Sequence, residues 1–207
     1  MPAPDLRELV LPARTAVVLQ ECQRGVLGEQ AVFPALAEVA RERGVVPNIA
    51  RLLVAARAVG VTVAHAIAER RDDLRGSNTN ARIYAAAARS GVSFAPGSQA
   101  TQPLPELGPA GGDLVFRRLH GIGPMYGTDL DPVLRNLGIA TIVAVGVSVN
   151  VGLTDLVFDA CNAGYQVVLP TDAVAGVPAD YADAVIEHTL SLLATTTTVD
   201  DVIAAWT

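Results

Sequence analysis

Apolar residues along this chain gather in short, nearly continuous blocks and rarely alternate with polar ones. The blocks are TAVVLQ (15–20), VTVAHAI (61–67), IATIVAV (139–145) and YQVVLP (165–170), with a shorter DLVF (113–116) and a Thr-rich LLATTTTV (192–199). Strands covered on both faces read this way, because neither face meets water. Between the blocks, residues 47–59, 80–90, 128–137, 152–163 and 179–191 carry apolar positions at helical spacing. Pro47 and Thr128 stand where helices start, and Gly60, Gly138 and Gly164 where they stop. Strand, helix and strand in repetition predict parallel βαβ units. The fold expected is therefore a three-layer α/β/α, Rossmann-like domain with a mostly parallel sheet of about six strands.

At 207 residues the chain suits one such domain, spanning 1–207. The segment Gly91–Gly112, rich in Gly, Pro, Ser and Gln, reads as an irregular surface connection. Hydrophobic residues make up 51% of the chain and aromatics only 4%, so the core must be built mainly from Ala, Val, Leu and Ile. A net charge of −6 argues against a nucleic-acid or anionic-membrane partner, since phosphate binding needs clustered Lys and Arg. The N-terminal MPAPDLRELVLPAR carries Asp5 and Glu8 without a long apolar run, unlike a signal peptide. The most hydrophobic window, 139–158, is interrupted by Ser148, Asn150, Thr154 and Asp155, which fits a buried strand and helix better than a membrane span. Two cysteines are too few for a disulfide framework and suit a reducing compartment, so a cytoplasmic location is expected.

In an open parallel sheet, ligands bind beyond the carboxyl ends of the strands. Those ends are QECQR (20–24), HAIAER (65–70), FRRLH (116–120), GVSVN (146–150) and PTDAV (170–174). Glu21 follows the first strand directly; the pattern fits a general acid or base there and fits a solvent-facing carboxylate as well. Arg117 and Arg118 fall on opposite faces by strand alternation, so one can face a pocket while the other faces water. Gly152 opens a helix without a side chain, where exposed amides attract an anion or a developing oxyanion. The GIGPMYG loop (121–127) mimics a dinucleotide fingerprint but spaces its glycines GxGxxxG and puts Pro124 in the turn, so no nucleotide site is expected. His65, His120 and His188 lie far apart without ligand-like pairing, and no metal or other cofactor is expected. Cys161 shares a helical stripe with Leu153, Val157 and Gly164 and is expected in the core. Cys22 sits beside Glu21, whose carboxylate would raise rather than lower the thiol's pKa.

Several of these stretches together resemble the isochorismatase-like, or cysteine hydrolase, family. AVVLQECQRGVLG is similar to that family's first strand, an apolar run followed by Asp, any residue and Gln. DLVFRR, GTDL, LRNLGI, GVSVN, DA..AGY and DA.AG follow in family order over nearly the whole chain. The resemblance implies an Asp, Lys and Cys site, whose places here hold Glu21, Arg118 and Gly152. Isochorismatases proper also have Gly in the Cys place and hydrolyse a vinyl ether, which needs a proton donor and water but no nucleophilic side chain. The resemblance further implies a cis peptide at Val147–Ser148 and a homo-oligomer, dimer or tetramer.

The expected function is a small-molecule hydrolase working without a thiol. In this reading Glu21 is the acid or base, Arg118 orients it or binds an anionic substrate, and the Val147–Gly152 backbone supplies donors. Substrate contacts are expected from Gly152, Ser148, Val147, Asn150, Gln23, His65, His120, Tyr126 and Arg82, with Asn78 and Asn80 beside them on a polar rim. An Arg118–Glu21 ion pair would keep Glu21 ionised and favour a base. Two alternatives therefore stay open: a family member without hydrolytic activity that binds a ligand or serves as a structural subunit, and a lyase or isomerase using Glu21 as base.

Overall fold

The structure, a computed structural model, describes residues 5–207; the first four residues of the N-terminal stretch read above lie outside the described residues. The strands are β1 (Thr15–Gln20), β2 (Thr62–Ala68), β3 (Leu114–Arg118), β4 (Thr141–Val147), β5 (Gln166–Pro170), β6 (Val174–Ala175) and β7 (Thr195–Thr197). They form one sheet in the order β3-β2-β1-β4-β5-β7, with β6 beside the end of β4 and every ladder parallel. The helices are α1 (Leu6–Leu9), α2 (Arg24–Leu27), α3 (Pro34–Glu42), α4 (Val45–Ala58), α5 (Arg82–Arg89), α6 (Leu130–Asn136), α7 (Thr154–Asn162), α8 (Ala179–His188) and α9 (Val199–Ala205). The α/β fold with a parallel sheet is as the sequence predicts; its seventh strand, β6, is two residues long and leaves no run to recognise. No described helix is long and apolar enough to cross a membrane.

Alternation along the central strands feeds two cores. Val17, Leu19, Val143, Val145 and Val147 pack under α4 and α9, while Ala16, Val18, Ile142 and Ala144 pack under α6, α7 and α8. α4 presents Ile49, Leu52, Leu53 and Ala56, each fully buried, at the i, i+3, i+4, i+7 spacing of one helix face. α3 and α9 were not anticipated: α3 buries only Leu36 and Ala40, and α9 only Val199 and Val202, too few positions to give a periodic signal. The Gly91–Gly112 connection is not purely a surface loop. Its Phe94, Ala100, Leu104 and Leu107 are buried against the first core, and Pro103 bridges antiparallel to Gln23. Cys161 is exposed, because the buried face of α7 runs through Leu153, Leu156, Val157 and Ala160, and position 161 falls beside that stripe.

His65 points into the sheet interior, away from the strand ends, which corrects its expected place in the site. It is fully buried, and its Nε2 lies 3.2 Å from the Asp113 carboxylate that also accepts from Arg57 at 2.6 Å. Its Nδ1 has no partner among the described residues, so a neutral imidazole donating through Nε2 fits the site. Burial pulls the pKa of His65 below the usual 6.5, against the pull of Asp113. The unfolded chain therefore takes up this proton first, and stability contributed here is lost as pH falls below about 6.5. Melting temperatures should accordingly drop more steeply for the wild type than for His65→Gln between about pH 7.5 and pH 5.5. Parallel slopes for the two proteins would rule this linkage out.

Candidate functional site

β1 ends at Gln20, and the chain turns at once. Glu21 adopts φ +54°, the left-handed region, which costs a residue with a Cβ roughly 1–2 kcal/mol. The surrounding bonds hold it there: Glu21 N–H donates to the Ala66 carbonyl at 3.0 Å, and Gln23 N–H donates to the Glu21 carbonyl at 2.8 Å. Gln23 braces the same turn from below. Its Nε2 donates to Ala68 O at 2.9 Å and Ala100 O at 3.0 Å, and its Oε1 accepts Ala68 N–H at 2.7 Å. With both ends of its amide engaged and no exposure, Gln23 ties β1 to β2 and the long connection, and does not meet a substrate.

The turn sends the Glu21 carboxylate over the strand ends towards β3. There Arg118 donates from Nη2 to Glu21 Oε1 and from Nη1 to the carbonyls of Gly121 and, at 3.4 Å, His120. Arg117, on the opposite face of β3, pairs instead with Glu69. The Glu21 side chain keeps 20% of its surface exposed and Arg118 only 8%. Burial pushes the Glu21 carboxyl above its ordinary 4.5, and the charge and hydrogen bond of Arg118 pull it partly back. The net direction is upward, because burial outweighs the pull of Arg118.

After β4 the chain passes through a cis Val147–Ser148 peptide into a wide helical turn, Val149–Leu153, that leads into α7. In it Val151 N–H and Leu153 N–H both donate to the Ser148 carbonyl, at 3.0 and 2.9 Å. Gly152 lies opposite Gln20. A Cβ on Gly152 would come within 2.8 Å of Gln20 Nε2, which donates to Ile122 O at 3.3 Å while Gln20 Oε1 has no partner among the described residues. The Gln20 amide thus fills the room that a side chain at 152 would need.

These elements enclose a cavity of about 300 Å³ lined by Glu21, Arg118, Ser148, Gly152 and His120, with an apolar wall beyond them. Five of the expected site residues therefore come together. Val147 is buried in the sheet core, Asn150 is turned away to Val177 O at 3.0 Å, and Arg82 sits exposed at the start of α5 outside the lining. Tyr126 is 83% exposed and off the cavity. Arg82 opens α5 on its exposed side, whereas the next two residues, Ile83 and Tyr84, face the cavity.

Tyr84 and Phe94 line the cavity and were not anticipated, while Arg70 and Ser77, from the strand end at 65–70 and the polar rim that follows it, line it as well. Tyr84 stands in IYAAAA, whose face of Ile83, Tyr84 and Ala87 covers the cavity, and Phe94 stands in the connection read as surface. Asn78 lines the cavity too, and its Oδ1 accepts Gly121 N–H at 2.7 Å, fixing the loop that Arg118 grips. Neither cysteine reaches the cavity lining. Cys22 is buried, and burial, helped by Glu21, pushes its thiol up to about 12.

Three comparisons bear on this geometry. The Isochorismatase domain family matches residues 15–201. An isochorismatase family protein of Bacillus subtilis is 39% identical over 72 residues, which cover 35% of this chain and 38% of the relative, so the match spans well under half of that protein. A ureidoacrylate amidohydrolase of Rhizobium rhizogenes is 29% identical over 182 residues, covering 82% of this chain and 74% of the relative. The solved structure of a cysteine hydrolase from Pseudomonas syringae pv. phaseolicola superimposes with a TM-score of 0.84 at 25% identity, over 100% of this chain and 98% of that one.

Proposed function

Since the chain belongs to the isochorismatase domain family, we propose that it is a small-molecule hydrolase whose chemistry runs on Glu21 and water, without a thiol. The observation that carries this reading is the Glu21–Arg118 pair at the cavity floor, facing a Gly152 that has no side chain. Burial favours the protonated form of Glu21, which suits a general acid. On an enol ether, Glu21 delivers its proton to the alkene carbon and leaves an oxocarbenium ion. Water adds to that cation as the Glu21 carboxylate takes back a proton, and the hemiketal formed collapses to a carbonyl and an alcohol. Arg118 holds the carboxyl in place through both steps. The same reading takes the chain as a single cytoplasmic domain working as a dimer or tetramer.

The test is a mass-spectrometric turnover screen of the purified protein on enol ethers including isochorismate, aromatic and aliphatic amides, and cyclic imides. Amides belong in the panel because one relative is named an amidohydrolase. Turnover of an enol ether is expected, and it should survive treatment with iodoacetamide. Its kcat/KM should fall as pH rises through the pKa of Glu21, which lies above 4.5. Activity abolished by alkylation would overturn the thiol-free reading. Absence of turnover across the panel, with a ligand retained, would replace it with a binding function.

A further inference from the structure

The walls of the cavity and the engagement of its charges limit what can enter. Resting on the assignment of this cavity as the substrate site, we infer that the substrate is a neutral molecule with an apolar body the size of two fused rings. A single uncharged polar group of that molecule faces Glu21 and Tyr84.

Size comes first. An apolar cavity of about 150 Å³ accepts benzene, and this one holds about 300 Å³. Its far wall is made by Val26, Leu36, Ile83 and Phe94, with Ala87 and Ala88 leaving room on the α5 side. Such a wall rewards a flat hydrocarbon body and offers nothing to a second charged group.

Charge comes second. Two arginines reach the cavity, and both are engaged within the protein. Arg118 is held by Glu21 and the carbonyls of Gly121 and His120. Arg70 donates to Ala87 O at 2.8 Å and Val92 O at 3.0 Å, and its guanidinium lies 5.4 Å from the centre of the Phe94 ring. The carboxyl groups that line the cavity, Glu21 and Glu69, are each hydrogen-bonded to an arginine, Arg118 and Arg117 in turn. A substrate carboxylate entering here would lose its water without gaining a guanidinium free of protein partners, and a substrate ammonium would find no free carboxyl group among the described residues of the lining. The anionic substrate that Arg118 suggested in the sequence thus meets a guanidinium whose Nη donors are already taken up by Glu21 and two backbone carbonyls.

Uncharged side chains are left to recognise a polar atom. The Tyr84 hydroxyl makes no hydrogen bond among the described residues, nor do the hydroxyls of Thr79 and Ser148 or the His120 ring, and all four side chains line the cavity. Burial raises the pKa of Tyr84, which keeps its proton available for donation. A carbonyl or ether oxygen is the group these donors fit.

The experiment is calorimetric binding of 2-naphthamide, 2-naphthoate and benzamide to the full chain. These differ in one charge or one ring. We expect 2-naphthamide to bind at least about tenfold more tightly than 2-naphthoate, and benzamide to be the weaker amide. Tyr84→Phe should weaken 2-naphthamide several-fold. Preference for 2-naphthoate, equal affinity for the two, or binding of neither at millimolar concentration would overturn the inference. Binding requires no turnover. A protein that binds 2-naphthamide yet hydrolyses nothing loses the hydrolase reading and keeps this one; a protein that hydrolyses an anionic enol ether and prefers 2-naphthoate does the reverse.

Discussion

Glu21→Gln should lower kcat/KM by about 10²–10⁴-fold, the usual contribution of a positioned acid or base. The substitution keeps the length of the side chain, its branching and an acceptor for Arg118, and it removes only the exchangeable carboxyl proton. It also leaves the left-handed backbone at position 21 as it is, since Gln and Glu pay the same penalty there. Glu21→Asp provides the internal comparison. It restores the acid but withdraws it by one methylene, and a misplacement of about 1 Å can cost on the order of a hundredfold. The expected order is therefore Glu well above Asp, and Asp above Gln. If Gln retained a third of the wild-type rate with an unchanged melting temperature, Glu21 would not be the proton donor.

The second large effect concerns stability. Gly146 lies in β4 at φ +104°, and a Cβ there would come within 2.3 Å of Gln20 O, 3.0 Å of Gln20 N and 2.9 Å of Cys22 Sγ. Two of these atoms belong to the backbone of β1, which is paired with β4 in exact register at Gln20 and Gly146. Neither strand can yield without breaking the centre of the sheet. Gly146→Ala should therefore cost at least about 4 kcal/mol. For a chain of this size that lowers the melting temperature by roughly 8–16 °C, or prevents folding. Gly164→Ala is the matched control: its φ is +88°, but no atom of the described residues lies within 4 Å of the added carbon. It should cost only the conformational penalty, on the order of 1 kcal/mol. Equal losses in the two variants, measured by thermal unfolding, would show that strain rather than the clash with Gln20 governs position 146.

What the sequence revealed follows from where its signals are strong. β1, β2, β4 and β5 were legible because burial on both faces leaves unbroken apolar runs, which turn residues punctuate. Glu21, Arg118 and Gly152 were legible because strand ends are few and the resemblance covers all of them. The cavity wall was not legible. Ile83, Tyr84 and Phe94 have the same chemistry as core residues, and only tertiary placement shows that they face an empty space. His65 and Gln23 misled for the opposite reason. His65 stands in the middle of β2, where a strand histidine bonded within the protein fits the pattern as well as a pocket residue does, and Gln23 follows β1 but was drawn down to backbone groups of β2 and the long connection. Cys161 misled by one step of helix phase.

The division of the cavity between two parts of the chain has a consequence for how the protein can change over generations. In the proposed function, proton chemistry depends on residues at the ends of β1 and β3 and in the turn after β4, next to a sheet centre that a substitution such as Gly146→Ala disturbs. The cavity wall, where the proposed substrate would sit, comes largely from α5 and its flanking loops, and α5 contains no fully buried residue. Exposed or half-exposed positions of that kind tolerate replacement within about 0.5 kcal/mol. A lineage can therefore exchange one substrate for another by altering α5 while its folding stability and its acid stay as they were, so selectivity is the property most open to drift.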